Sequence, residues 1–169
     1  PSEKEKYFGT NYQIDKIIDN FRNDASRIGF ILLHGYFRAC GKFINSNKFL
    51  DDDIKYICNL IGIKKDHLDF KKYMNNDFWR HKKIIVQMYN YKVFNDENIS
   101  ELENEINFMT SNQIRPRQII LKSVELLQLK KIEIPTYYTL ANLITNKFNS
   151  YEQNLLSKFE GLLDKKKIS

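Results

Sequence analysis

The chain has 169 residues, a net charge of +6, and 42% hydrophobic beside 28% charged residues. That length suits one domain with room for two lobes, and a chain of this size buries roughly 70% of its unfolded surface, ample for a stable core. No apolar run approaches a membrane span and the opening PSEKEKYF has no apolar signal region, so a cytoplasmic protein with no membrane partner is expected.

Strand signals are few, prolines stand only at 1, 116 and 135, and apolar residues recur at helical spacing. The fold class expected is therefore all-α: a compact multi-helix bundle with a buried central helix over about 27–40 and a long C-terminal helix, its lobes of helix-turn-helix kind. A first helix is expected over 12–21, with Ile14, Ile17, Ile18 and Phe21 on one side. The segment RIGFILLHGYFRACGKF, residues 27–43, is apolar all round and so marks the buried hub. Gly29 and Gly35 cost helix stability, which points to close approach by other helices. Asp24 is the expected N-cap of this hub and Gly41 its left-handed stop.

Asp51, Asp52 and Asp53 open the next helix, which ends before Gly62. They read as a cap with favourable charge at a helix start; no further ligand suggests a metal. A short helix is expected near 66–74, then one that Asp77 caps and that runs to about Tyr89. Residues 91–99 read as a connection. Ser100 and Glu103 then fit a capping box over a stripe of Leu102, Ile106 and Met109. Pro116 suits the first turn of a helix burying Ile119, Ile120, Val124 and Leu127. After Pro135 a helical region runs from Thr136 toward Lys165, as one helix or as two divided near 149–150. Its stripe continues through Leu155, Leu156, Phe159, Leu162 and Leu163. Cys40 and Cys58 lack CxxC spacing and read as reduced core thiols, with a disulfide as the weaker alternative.

The positive charge favours an acidic partner, most simply nucleic acid, although an AT-rich coding sequence would also accumulate lysine. On the helix after Asp77, Arg80, Lys83, Gln87 and Asn90 follow at steps of three, four and three, which puts them on one face. Arg, Gln and Asn are the side chains that pair bidentately with base edges in the major groove. The opposite side carries Phe78, His81, Ile85, Met88 and Tyr89. The competing reading is an ordinary solvated face. Arg115 and Arg117 flank Pro116 and form either a phosphate clamp with the helix-start amides or plain surface charge. Arg38, Lys42, Lys130 and Lys131 are further candidates for phosphate contacts. Lys64, Lys65, Lys71 and Lys72 read as solvated.

The acidic stretch 96–105 should face away from DNA. Trp79 reads as a packing anchor, with stacking on a base as the alternative. His34 and His81 sit on apolar faces and read as hydrogen-bonded core residues, and His67 is isolated. The three histidines show no zinc spacing, and no phosphate loop, nucleophile elbow or paired carboxylates stand out. No catalytic residue, metal or cofactor is assigned.

The order of the pieces resembles a known family. RIGFILLHGYFRACGKF is similar to the hub motif in the N-terminal region of replicative transposases of the Tn-three family. FLDDDIKYICNLIGI, HKKIIVQMYNYKVF and KSVELLQLKKIEIPTYYTLANLI resemble later segments in the same order. The resemblance runs from about Tyr7 onward. Two departures stand out: Asn90 where the family pattern has glycine, and His34-Gly35 where a longer side chain is usual. The resemblance implies N-terminal helical domains that bind the terminal inverted repeats of a transposon. A metal-dependent acidic triad in a downstream RNase H-like domain then cuts and joins strands.

The expectation is thus one helical DNA-binding domain over 1–169, divisible into lobes 1–92 and 99–169, with the parent's catalytic domain absent. Its partners would be double-stranded DNA at transposon ends and the rest of the transposase chain, with self-association through the long last helix as the rival reading. A small enzyme built around His34 or His81 ranks behind both.

Overall fold

The structure is a computed structural model that describes residues 3–65, 68–73 and 77–167, the side chains of 71, 72 and 163–167 excepted. The fold is all-α. In chain order the helices are α1 (Glu3–Phe8), α2 (Tyr12–Ile18), α3 (Asp24–Cys40), a 3-10 turn (Ser46–Lys48), α4 (Asp51–Ile61), α5 (Phe70–Tyr73), α6 (Asp77–Met88), α7 (Asp96–Ser111), α8 (Pro116–Leu129) and α9 (Tyr137–Lys167). The chain forms two compact units, Pro1–Lys92 and Val93–Ser169.

In the first unit α3 is the axis. Ile28, Phe30, Leu32 and Leu33 have no exposed surface, and α1, α4, α5 and α6 pack around them. The two hub glycines are where those helices come closest. A Cβ on Gly29 would strike the Tyr73 ring of α5, and one on Gly35 would strike the Phe8 ring of α1. Each glycine gives up about 1 kcal/mol of helix propensity and gains an aromatic ring laid against the backbone. Asn23, not Asp24, caps α3: its side chain accepts the Ser26 amide at 2.8 Å. Asp24 sits one residue inside, where its charge suits the positive helix end. Gly41 (φ 68°) ends the helix as expected.

Several helix starts differ from expectation for one reason: a residue with a polar side chain serves as cap only where the backbone is still extended. α4 begins after Leu50, whose side chain makes no cap bond, and the three aspartates fill its first turn. They are tied by cations, Asp53 by Lys4 at 3.0 Å and Asp51 by Lys65 at 2.5 Å, and Tyr36 donates to Asp53 at 2.8 Å. α7 starts at Asp96, a turn before the expected capping box, because Asn95 accepts the Asn98 amide at 3.1 Å; Ser100 is interior. α2 ends at Ile18, three residues before Phe21. α1 has no counterpart among the sequence expectations. Of the short helix expected near 66–74, Phe70–Tyr73 is observed, and 66, 67 and 74 lie outside the described residues.

Helix ends follow one pattern. Gly62, Asn90, Gln113 and Lys131 have φ of 71°, 54°, 55° and 51°. In each case the next amide reaches back five residues: Ile63 to Cys58 O, Tyr91 to Val86 O, Ile114 to Met109 O and Ile132 to Leu127 O, at 2.8–3.0 Å. This left-handed closure satisfies the last carbonyls and seats an apolar residue against the helix it ends.

The second unit is α7, α8 and the first part of α9 around Leu102, Ile106, Ile119, Leu127, Leu140 and Ile144. α9 is one unbroken helix of 31 residues. Thr136 starts it by accepting the Thr139 amide at 3.1 Å. Lys147 pairs with Glu103 at 3.6 Å and the Tyr151 hydroxyl donates to Ser111 O at 3.5 Å. Beyond them Leu156, Phe159 and Leu162 are each more than 60% exposed. The sequence stripe is therefore not core over its distal part.

Candidate nucleic-acid interface

α6 holds the polar row. Phe78, His81 and Ile85 sink into the first core with 4% exposure or less, and this fixes the opposite face outward. Arg80, Lys83, Gln87 and Asn90 are all exposed. From Arg80 to Asn90 the row covers about 15 Å of helix axis. Arg80 is the most restrained member: its guanidinium pairs with Asp77 at 2.9 Å and its Cζ lies 5.3 Å from the centre of the Phe21 ring. The Asp77 carboxylate also accepts from Ser26 on α3, so Asp77, the first residue of α6, staples the start of the helix to the hub. Lys83, Gln87 and Asn90 make up the less restrained part of the row.

Trp79 corrects the sequence reading. It is 62% exposed and so is no packing anchor, with the Lys82 ammonium 5.2 Å over its ring. It stands one turn before Lys83 and flanks the row. A helical wheel places it well away from Ile85, and that was the signal available in the sequence.

Arg38 and Lys42 are exposed near the C-terminal end of α3. Arg38 lies beside the end of α6, sharing a cleft with Met88 and Tyr89. Arg38, Gln87 and Asn90 therefore belong to one neighbourhood of the first unit, and Arg80 lies at the other end of the row.

In the second unit Arg115 is the N-cap residue of α8 and Arg117 stands in its first turn; both are exposed, with no side-chain cap and no acidic residue in that turn. Lys130 and Lys131 are exposed at the other end of the helix, about 20 Å away. One phosphate cannot be shared by the two pairs. Lys130 is held by Glu101 at 2.9 Å, so the acidic stretch and the basic set are not segregated as expected. Lys131 uses its backbone to end α8. Tyr137 and Tyr138, unassigned from sequence, are more than 70% exposed at the start of α9.

The histidines serve the core. The Tyr89 hydroxyl and His34 Nε2 share a hydrogen bond of 2.7 Å, and the Tyr73 hydroxyl and His81 Nδ1 one of 2.9 Å. His81 stacks on Phe21 with ring centres 4.2 Å apart, and its Nε2 is buried without a partner. Burial first, then the guanidinium of Arg38 beside His34 and of Arg80 beside His81, lowers both imidazoles from 6.5 to about 4. Both rings are neutral at pH 7. His67 lies outside the described residues. Cys40 and Cys58 are free thiols. Among the described residues no group of three or more His, Cys, Asp or Glu could hold a metal ion, and no helix is long and apolar enough to cross a membrane.

These features define an all-helical protein that displays a polar row on a helix whose opposite face is buried. The sequence pattern of a domain of unknown function, DUF4158, matches residues 2–146, and the chain belongs to that family. No curated protein matches the chain.

Proposed function

We propose that this chain is the DNA-binding N-terminal region of a replicative transposase of the Tn-three kind, engaging the terminal inverted repeats of its element and performing no strand chemistry itself. The observation that carries the reading is α6: Lys83, Gln87 and Asn90 stand exposed on a helix whose other face is locked in the core. Such a helix can enter a major groove without unfolding anything. In this reading Trp79 adds an apolar contact beside the row, and Arg80 acts on the DNA backbone from its tether on Asp77. Arg38, Lys42, Arg115, Arg117, Lys130 and Lys131 supply phosphate contacts, which set affinity and register and not sequence choice. The resemblance of four segments in order to such transposases supports the same conclusion.

The test is a gel-shift competition between a duplex carrying the parent element's terminal repeat and a scrambled duplex. Preference for the repeat, lost in Gln87→Ala, is the expected result. Equal binding of both duplexes by the unaltered protein would end the proposal.

A second reading has its own observation. The distal part of α9 exposes Leu156, Phe159 and Leu162 in one region of a helix, as an assembly helix would. It predicts self-association that rises with concentration in sedimentation velocity and is abolished by Phe159→Lys, with no dependence on DNA.

A further inference from the structure

Where α2, α3 and the end of α6 meet, the first unit has a cleft of about 350 Å³. Its polar lining comes from Asn11, Gln13, Arg38, His34 and Tyr89, and its apolar wall from Ile14 and Met88. No carboxylate lines it. A larger cleft of the same unit, about 470 Å³, sets three aspartates, Asp24, Asp69 and Asp77, against one arginine, Arg22, and so disfavours anions.

The donors in the smaller cleft differ in kind. Arg38 offers a fork of N–H groups, one nitrogen of which also donates to Tyr7 O at 3.5 Å, and the full positive charge. Asn11 spends its side-chain oxygen on the Ile14 amide at 3.0 Å, so its NH₂ remains as a donor. Gln13 is exposed and can both donate and accept. His34 is neutral and engaged with the Tyr89 hydroxyl, so it adds no second charge. One cation, two amides and an apolar wall are more than an isolated phosphate uses.

We propose that this cleft holds a single nucleotide of a DNA strand, with its phosphate on the Arg38 guanidinium, its base edge on the amides of Asn11 and Gln13, and its base against Met88 and Ile14. The proposal deepens the DNA-binding reading and rests on it. Gln87 and Asn90, the last two members of the row, directly flank Met88 and Tyr89 in sequence. A strand that follows the row to its end reaches the cleft by turning round the end of α6, from the side of Gln87 and Asn90 to that of Met88 and Tyr89. A nucleotide paired in a duplex keeps its base edge occupied, so the occupant is unpaired or has left the stack.

The experiment is an NMR titration of the isotope-labelled chain with three probes: inorganic phosphate, 2-deoxyribose 5-phosphate and the four deoxynucleoside 5′-monophosphates. A duplex carrying the parent element's terminal repeat is followed in parallel by fluorescence anisotropy. The expected result is movement of the Asn11 and Gln13 side-chain amides and the Arg38 guanidinium with the monophosphates, at roughly tenfold tighter binding than the sugar phosphate. Arg38→Gln and Gln13→Ala, both at exposed positions, should each weaken this roughly fivefold, and Lys48→Ala should leave it unchanged. Equal response to phosphate and monophosphate overturns the proposal, as does silence at Asn11, Gln13 and Arg38 or an unaltered Gln13→Ala. Monophosphate binding without duplex binding would sink the transposase reading and keep the cleft; duplex binding with a silent cleft would do the reverse.

Discussion

At Asn90 the backbone is left-handed and the side chain stays exposed at the end of the polar row. The position thus joins two demands: it ends α6 as glycine would, and it still offers an amide to a ligand. Asn90→Gly is expected to stabilise the fold by up to about 1 kcal/mol in urea denaturation, because glycine takes positive φ without strain. The same variant should lose discrimination between terminal-repeat and scrambled duplex. A β-branched Asn90→Val should instead cost about 1–2 kcal/mol. The buried histidines give a pH signature. Their folded pKa of about 4 lies below the unfolded value of 6.5, so protons bind the unfolded chain preferentially. Stability is full above pH 6.5 and falls as pH drops toward 4, by an amount of order 3 kcal/mol per histidine. Thermal melts at pH 7.5, 6 and 5 should show a stepwise loss, reduced in His34→Gln.

At the scale of the element, α3 depends on its glycines as contact points. Gly29→Ala gains helix propensity but drives a methyl into Tyr73, which is 2% exposed and bonded to His81. A net loss of about 1–2 kcal/mol by chemical denaturation is expected. For α6, Gln87→Ala should reduce discrimination by roughly 1–3 kcal/mol in competition binding. Arg117→Ala on α8 should weaken all duplexes alike and lower the slope of log affinity against log salt by about 1.

The sequence made this level legible wherever apolar spacing decided it. The hub, the α4 stripe and the inward side of α6 follow from periodicity, and the close approach at Gly29 and Gly35 from the cost of glycine inside a helix. What periodicity could not supply was the choice among nearby candidate start residues. Asn23 or Asp24, Asn95 or Ser100, and Leu50 or Asp51 differ by the turn at which φ and ψ become helical. Tertiary contacts act at the same places: Asp77, the first residue of α6, accepts from Ser26 and so ties the start of that helix to the hub. The Asp77–Arg80 pair is an i,i+3 neighbour on one helix and so was open to the sequence, whereas Lys130 looked like the other phosphate-contacting cations and only the fold brings Glu101 to it.

For the whole molecule, the separate buried clusters of the two units imply separable stability. Leu127→Ala removes a side chain with no exposed surface from the second unit and should cost about 2–5 kcal/mol there. Hydrogen exchange should show the loss mainly in residues 93–167, with the amides of α3 keeping their protection. The family match ends at residue 146, inside α9, and that helix continues without interruption. Among the described residues its most distal hydrogen bond to the second unit is that of the Tyr151 hydroxyl on Ser111 O. From that fulcrum to Lys167 the helix extends by about 24 Å. It is a lever: a tilt of about 10° at Tyr151 would carry its far end through about 4 Å, because a hydrogen-bonded helix moves as a rod. A slight rearrangement around Phe148 would thus be magnified several-fold at the tip, with no hinge required along the way.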